Sequence, residues 1–340
     1  MLIAAKIIKD TATVEGGFNI RAIKSSTQGS SIYEAGIVSP TQFYTWRNYR
    51  CAYEVHSPTH STSDRGIPLL LIHPIGVGLS RHFWQRFCRE WYETGRCNPI
   101  YNPDLLGCGE SDMPHIAYAP LDWAEQLQHF LQTVVQKPVV VVVQGALLPV
   151  AIALVNLQSE PNLIQGLVLA GPPAWAVITE ESAFWQQRLT WNVLDSPLGS
   201  AFYRYARRPE FLRSFSTREL FADADKVDSE WLDTLVQGAA TPASRYAVFS
   251  FLSGFWRQDY KQAIATIAQP TLVVVGDKAS SISRKGQADT PDRRLADYLE
   301  CLPNSRGIKI PGRNVLPYEA TTEFVAAIAP FVNECNYLGK

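Results

Sequence analysis

A chain of 340 residues, 46% hydrophobic and 19% charged, has the composition of a soluble globular protein and is long enough for one elaborated α/β domain. Its 31 lysines and arginines nearly balance 32 aspartates and glutamates, so its charge gives no reason to expect nucleic acid as a partner. No apolar run reaches the roughly 20 residues that a transmembrane helix needs, and we expect no membrane-spanning segment.

The six cysteines are scattered along the chain without a C-x-x-C pair, which indicates free thiols in a reducing compartment such as the cytoplasm. The chain also lacks the glycine-rich nucleotide motifs and the H-E-x-x-H helix. The sequence therefore predicts no disulfide framework, no metal and no cofactor.

The first predicted elements are a leader and a series of strands. Residues 1–40 are rich in Ser, Thr and Gly without a sustained period, which indicates a partly ordered leader. FYTWRNYRCAYEV (43–55) alternates like one antiparallel strand, and IPLLLIH (67–73) is typical of a strand inside a sheet. Further buried strands are predicted in NPIYNPD (98–104) and PVVVVVQ (138–144).

A helix is predicted between the last two of these strands. PLDWAEQLQHFLQTVVQK (120–137) carries one apolar stripe at helical spacing. Its members are Trp123, Leu127, Phe130, Leu131 and Val134. A sixth strand, IQGLVLAG (164–171), follows, and the strand-helix order predicts a mostly parallel sheet with helices on both faces.

Strand-helix alternation then stops for about ninety residues and resumes at QPTLVVVGD (269–277) and RGIKIPGRN (306–314). The interval has helical patterning and many aromatic residues, which predicts a helical lid inserted into the α/β core. The predicted division is a core of residues 41–171 and 263–340 and a lid of residues 172–262.

Five segments, taken in order, resemble the α/β-hydrolase family of the lidded kind. They are LLLIHPIGVGLSRHFW (69–84), PDLLGCGESD (103–112), KPVVVVVQGALLPVAIAL (137–154), PTLVVVGD (270–277) and IPGRNVLPYE (310–319). The resemblance implies an oxyanion loop in the first segment, a nucleophile elbow in the third, and an acid and a histidine in the last two.

The elbow segment does not hold a nucleophile. Alignment with the family's G-x-S-x-G places Gly145 at the serine position, with Val143 and Leu147 where the family has glycines. These bulky residues are expected to reshape the turn. A shift by one residue would place Gln144 at the point of the turn with Ala146 as its small neighbour, and an amide is no nucleophile either.

The base and the acid are also absent from their family positions. All six histidines precede the elbow, and Asn314 stands where the family has its histidine. Asp277 comes one or two positions early for the acid, where Ala279 stands instead. Because Ser, His and Asp act as one unit, the sequence predicts that the ordinary hydrolase chemistry is lost.

Two routes to residual acid-base chemistry stay open in the sequence, a His73–Asp104 pair and a pair between Cys108 and a histidine. His73 is interpreted either as a wall of the site or as a structural residue that holds its loop. Asp104 and Ser111 fit a turn in which a carboxylate and a hydroxyl cap backbone amides. Arg313 is a candidate partner for an anionic group of a ligand.

The sequence supports two main hypotheses, and a third, weaker one is a scaffold protein with a collapsed pocket. The first is a non-catalytic α/β-hydrolase-like protein that binds a hydrophobic small molecule or a protein partner through its lidded pocket. The second is a hydrolase of hydrophobic esters with an unconventional site, in which Gln144 and Asn314 orient water. The predicted pocket consists of His73, Ile75, Gly76, Gln144, Gly145, Ala146, Trp175, Arg313 and Asn314.

The stretches HPIGVGLS (73–80) and NPDLLGCGESD (102–112) are also similar to those of α/β-hydrolase-like proteins of cyanobacteria and plastids. That similarity implies a pigment, prenyl or lipid ligand. It also implies that a plastid member would reside in the stroma instead of the cytoplasm.

Overall fold

The computed structural model describes residues 39–57, 66–159 and 162–338, and the predicted leader lies outside this part except for residues 39 and 40. One eight-stranded sheet forms the centre of the protein. Its strands are β1 (Gln42–Trp46), β2 (Tyr49–His56), β3 (Leu69–Ile72), β4 (Ile100–Pro103), β5 (Val139–Gln144), β6 (Ile164–Ala170), β7 (Thr271–Gly276) and β8 (Ser305–Ile310).

The sheet is mostly parallel, as predicted. Its strand order is β1-β2-β4-β3-β5-β6-β7-β8, and the six strands from β4 to β8 in this order run parallel to one another. The antiparallel pairs are β1 with β2 and β2 with β4. The central strands β3, β5 and β7 are buried at every position, which explains why they read as continuous apolar runs.

The first strand segment was predicted as one strand and is a β-hairpin, so that prediction is wrong. β1 and β2 are joined at Arg47 and Asn48, whose φ angles are 48° and 65°. Two successive residues with positive φ make the turn that best matches the twist of a two-stranded hairpin. Asn tolerates this conformation, but Arg seldom adopts it, so the residues of this turn are a weak signal of a hairpin.

Helices cover both faces of the sheet, as the fold class predicts. They are α1 (Gln85–Glu93), α2 (Pro120–Phe130), α3 (Leu148–Asn156), α4 (Trp175–Ile178), α5 (Phe184–Leu194), α6 (Pro197–Ala206), α7 (Pro209–Phe215), α8 (Ser229–Gly238), α9 (Arg245–Ser253), α10 (Lys261–Ala265), α11 (Pro291–Cys301), α12 (Leu316–Glu319) and α13 (Thr321–Leu338). Residues of α2, α3 and α11 join the core on one face, and residues of α1 and α13 join the core on the other. None of the helices in the described part of the chain is both long and apolar enough to cross a bilayer.

The seven helices α4 to α10 lie between β6 and β7, in the segment predicted as the lid. One of them approaches the loop after β3 very closely. A Cβ atom at Gly238, the last residue of α8, would overlap the carbonyl oxygen of Gly78, and a Cβ at Gly78 would overlap Leu235. Two glycines therefore allow the backbone of α8 to rest on the backbone of this loop.

Candidate functional site

The turn between β5 and α3 is an elbow whose point is Gly145. Gln144 is still extended, with φ −95° and ψ 125°, whereas Gly145 has φ 60° and begins a short 3₁₀ turn that leads into α3. This left-handed conformation is one that glycine adopts without steric cost. Gly145 is therefore the residue with positive φ at the point of this turn, and Gln144 is the last residue of the strand before it.

The elbow leaves room for a side chain that the chain does not supply. A Cβ atom built on Gly145 would have only the carbonyl oxygen of Gly171 within 4 Å, at 3.9 Å. Gly145 and the next residue, Ala146, are both partly exposed. The flanking Val143 and Leu147 are buried in the core, so the bulky residues of this turn point away from the site.

Gln144 connects the elbow to the loop after β8. Its side chain is 2% exposed, and its Nε2 donates a hydrogen bond to the carbonyl oxygen of Asn314 over 2.6 Å. Its Oε1 is buried and has no hydrogen-bond partner among the described residues. A buried acceptor without a donor is costly, so this atom is an unsatisfied polar group beside the elbow.

Asn314 uses its side-chain amide to hold backbone groups of two other segments. Its Nδ2 donates to the carbonyl oxygen of Glu219 over 2.7 Å, and its Oδ1 accepts from the amide of Ser280 at 3.4 Å. Its own amide donates to the carbonyl oxygen of Leu220. The residue at the family's histidine position thus links the predicted lid to the loop after β7.

Asp277 and Arg313 are engaged in the same loops. Asp277 is exposed, and its carboxylate accepts a hydrogen bond from the amide of Gly312 over 3.0 Å. The Arg313 guanidinium donates to the hydroxyl of Ser280 over 2.7 Å and to the carbonyl oxygen of Arg218. Hydrogen bonds thus join Gln144, Asn314, Ser280 and Arg313 around the elbow, but they form no proton relay.

His73 lies in the loop after β3 and is completely buried. Its Nε2 accepts a hydrogen bond from the amide of Leu105 over 3.1 Å, so its Nδ1 is the donor to the carbonyl oxygen of Pro74 at 2.9 Å. Burial lowers the pKa of His73, because the charged imidazolium would lose its water. These contacts match the structural interpretation, a neutral histidine that holds two loops together.

The remaining pocket candidates border these loops. Ile75 is buried in the same core cluster as Val143 and Leu147. Gly76 follows it, and a Cβ there would press on Leu79 at 2.7 Å. Trp175, in α4, is half-buried.

Trp175 packs edge-on against Tyr298, with ring centroids 5.1 Å apart. Tyr298 is fully buried, and its hydroxyl donates to the carbonyl oxygen of Pro173 over 3.0 Å. The tryptophan is thus held beside the chain that leaves β6.

The turn after β4 is confirmed as a structural turn. The Asp104 carboxylate accepts hydrogen bonds from the amides of Arg81 and Glu110, each over 2.8 Å. The hydroxyl of Ser111 donates to the Asp104 carbonyl and accepts from the amide of Ala52, each over 3.0 Å. This carboxylate makes no hydrogen bond to His73.

A buried arginine in this region was not found by sequence reasoning. The Arg81 side chain is completely buried and bonds the carboxylates of Glu54, Asp104 and Glu110. An arginine after a loop serine gives no sequence signal of burial, because this residue type is mostly exposed. The cluster fixes the loop after β3 to the loop after β4.

Only one hydroxyl contacts an imidazole among the described residues. The Ser80 hydroxyl lies 3.3 Å from His82 Nδ1, and His82 Nε2 lies 4.0 Å from the Glu54 carboxylate. Ser80 is 1% exposed and also accepts from the amide of His82, as a cap of a short helical turn. Cys108 is buried, which raises its pKa, and it has no hydrogen bond to a histidine.

The other described histidines have structural or surface partners. They are His56 beside Glu54, His115 beside Asp195, and His129 beside the carbonyl oxygen of Thr45. His60 lies outside the described residues. No described imidazole therefore reaches Gly145 or Asn314 by a hydrogen bond, and within the described residues no group of three or more potential ligands is arranged to hold a metal ion.

Comparisons with known proteins agree with this fold. The family model of the alpha/beta hydrolase family matches residues 69–328. A comparison with curated protein sequences finds no match. Among solved structures, the protein is similar to a thermophilic esterase from Thermogutta terrifontis, with 18% identity and a TM-score of 0.65 over 88% of this chain and 100% of the other.

Two further structures show the same architecture. A serine hydrolase involved in carbazole degradation has 18% identity and a TM-score of 0.66 over 87% of this chain and 99% of its own. A bromoperoxidase from Bacillus anthracis has 19% identity and a TM-score of 0.64 over 86% and 99%. Identities this low inform about the fold alone, whereas the family model spans most of the chain. The chain belongs to the alpha/beta hydrolase family.

Proposed function

We propose that this protein is a non-catalytic member of its family that binds an apolar small molecule at the elbow. The observation that carries the proposal is the left-handed conformation of Gly145 at the point of the elbow. In this proposal, Gly145 stands at the family's nucleophile position and supplies no side chain. In this proposal, residues 172–262 act as the lid and residues 41–171 and 263–340 as the core. The retained space at the elbow then serves binding instead of bond cleavage.

The surroundings of Gly145 support the loss of acyl transfer. A serine mechanism needs a base to take the hydroxyl proton and later return it to the leaving group. Asn314 has no basic atom, and both ends of its amide already bond backbone groups. Asp277 would have no imidazole to orient.

The residues of the predicted pocket support an apolar ligand. Ala146 and Trp175 are partly exposed and offer methyl and aromatic surface. Ile75 lies behind them in the buried core. The buried Gln144 Oε1 is the polar atom at the elbow that lacks a partner among the described residues. A largely apolar molecule with one hydrogen-bond donor, such as an alcohol or an amide, would match this chemistry.

A second candidate function is hydrolysis of an apolar ester with an unconventional site. The contact between the Ser80 hydroxyl and the His82 imidazole favours it, because the other nitrogen of this imidazole lies near the Glu54 carboxylate. A hydroxyl, an imidazole and a carboxylate thus adjoin one another in space. The buried position of Ser80 disfavours it, because a substrate carbonyl must reach the attacking oxygen.

Activity measurements separate the two candidates. We expect the wild-type protein to show neither fluorophosphonate labelling nor saturable turnover of short and long p-nitrophenyl esters. Gly145→Ser alone should stay inactive, because a serine without a base is a poor nucleophile. The triple variant Gly145→Ser, Ala279→Asp, Asn314→His restores the family's residue types and serves as the positive comparison. Wild-type turnover that disappears in Ser80→Ala or Asn314→Ala would contradict the non-catalytic proposal.

Binding is tested separately by native mass spectrometry of the protein as purified. We expect a co-purifying apolar molecule in the wild type and its loss in Ala146→Phe, which fills the space beside Gly145. Ala326→Phe, at an exposed position of α13, is the matched control and should retain the ligand. An empty wild-type protein, or a ligand retained in Ala146→Phe, would count against binding at the elbow.

A further inference from the structure

Helix α5 presents an apolar stripe to solvent. Trp185, Leu189 and Val193 are spaced by four residues, so they lie on one face of the helix, and all three are exposed. Phe184, the first residue of α5, and Leu198 in α6 are also exposed apolar side chains. Trp185 and Leu198 are 65% and 75% exposed, values far above those of the core.

This stripe is not needed to hold α5 in place. The helix is anchored through its opposite face, where Gln187 and Leu194 are buried. Gln187 donates to the carbonyl oxygen of Gly254 over 3.0 Å, and Trp191 packs on Phe255 at 5.9 Å. Contiguous apolar side chains that the fold leaves in water usually mark a binding surface.

The charge of the same surface is positive. The sequences of α5 and α6 contain no Asp or Glu. Their charged side chains, Arg188 and Arg204, are exposed, and neither has a carboxylate within 4 Å in the described part of the chain. Asp195, between the two helices, is bonded to His115 over 2.7 Å. The acidic Glu181 and Glu210 lie outside both helices.

We propose that the outward face of α5 and α6 docks on the surface of an anionic lipid bilayer. Tryptophan, phenylalanine and leucine are the residues that enter the interfacial layer, and arginines beside them bind lipid phosphates. The side chains are exposed on two helices that follow one another in the chain, which suits insertion into a soft planar surface. This surface is independent of the elbow, so the proposal goes beyond the ligand-binding function above.

Co-flotation of the full-length protein with vesicles tests this proposal. We expect binding to vesicles of phosphatidylcholine mixed with phosphatidylglycerol, and much weaker binding to phosphatidylcholine alone. Added salt should weaken the binding, because it screens the arginine contacts. The double variant Trp185→Gln, Leu189→Gln should lose about tenfold or more in affinity, and each of Arg188→Gln and Arg204→Gln about fivefold.

Matched variants from other surfaces serve as controls. Leu121 of α2 is a leucine exposed like Leu189, and Arg293 of α11 is an exposed arginine, so Leu121→Gln and Arg293→Gln should bind as the wild type does. The altered residues are all exposed, and an unchanged urea midpoint verifies folding.

Three outcomes would overturn the proposal. The first is no binding of the wild type to anionic vesicles at low salt. The second is equal binding of the wild type and the Trp185→Gln, Leu189→Gln variant. The third is a wild-type dimer in sedimentation that this variant converts to a monomer, since the face would then bind a second copy of the chain.

Discussion

The conformation of Gly145 sets the first prediction at the scale of single residues. Gly145→Ala should lower the free energy of unfolding by about 1–2 kcal/mol, because an L-residue is strained at a φ of 60° although nothing crowds its Cβ. Urea denaturation measures the change. Gly95 has φ 79° and no atom within 4 Å of a Cβ, so Gly95→Ala is the matched control and should cost a similar amount. A much larger loss at Gly145 would mean that the elbow is sterically closed.

His73 gives a second prediction at this scale. Its pKa is lowered by burial, so below the unfolded value of about 6.5 the unfolded chain binds more protons than the native protein. Through His73, the free energy of unfolding therefore decreases as the pH falls from about 7 towards the lower native pKa. Above pH 7, His73 makes no pH-dependent contribution. The variant His73→Gln removes this pH-dependent contribution to the free energy of unfolding. It also loses hydrogen bonds of the histidine, and that loss is the same at every pH.

Urea denaturation between pH 7 and pH 5 measures the His73 effect. The slope of unfolding free energy against pH should be shallower in His73→Gln than in the wild type. His129, a half-buried histidine on α2, is the control, and His129→Gln should leave the slope steeper than His73→Gln does. Equal slopes in the wild type and His73→Gln would show that the native imidazole is protonated as easily as an exposed one.

At the scale of elements, the contact between α8 and the loop after β3 sets the orientation of the predicted lid. Gly238→Ala would force these backbones apart, because a Cβ there overlaps the carbonyl oxygen of Gly78. We expect the free energy of unfolding to fall by about 2–3 kcal/mol, although alanine has a higher helix propensity than glycine. Gln237→Ala, at the exposed neighbouring position, should be nearly neutral in the same urea experiment. A neutral Gly238→Ala would contradict the close approach.

The Arg86 side chain, in α1, joins the start of α8 to α12. It donates to Asp228 and Glu230 at the start of α8 and to the hydroxyl of Tyr318, and it lies over the Tyr318 ring at 4.0 Å. Burial alone would raise the pKa of Asp228, but hydrogen bonds from Arg86 and from the Trp231 amide lower it. This contact and the paired glycines hold α8 against the core through different chemistry.

At the scale of the whole molecule, the period of apolar residues predicted most of the fold. Burial in the core determines which positions of an element must be apolar. The sequence therefore predicted the buried strands β3, β5, β6 and β7 and the apolar stripe of α2. The elbow was readable because a glycine after a buried strand marks a point of positive φ. The β1–β2 hairpin was missed because its turn depends on Arg47, a residue type that does not signal one.

Long-range hydrogen bonds could not be read from the sequence. Gln144 and Asn314 are 170 positions apart, and Asn314 bonds Glu219 from 95 positions away. The burial of Arg81 among three carboxylates follows from the meeting of two loops, which no local pattern encodes. Likewise, helical spacing identified α5 as part of a helical insert but did not reveal which of its faces stays in water.

The relaxed elbow has a consequence for the mutational routes open to this chain. A glycine at its point releases strain that a serine there must bear, while the neighbouring amide of Asn314 is occupied with backbone groups. Under the proposed function, regaining hydrolysis would require at least three replacements, and a variant that carries the serine alone would bear the conformational penalty without catalytic activity. Under the proposed function, one substitution at this turn is therefore enough to lose activity, whereas no single substitution restores it.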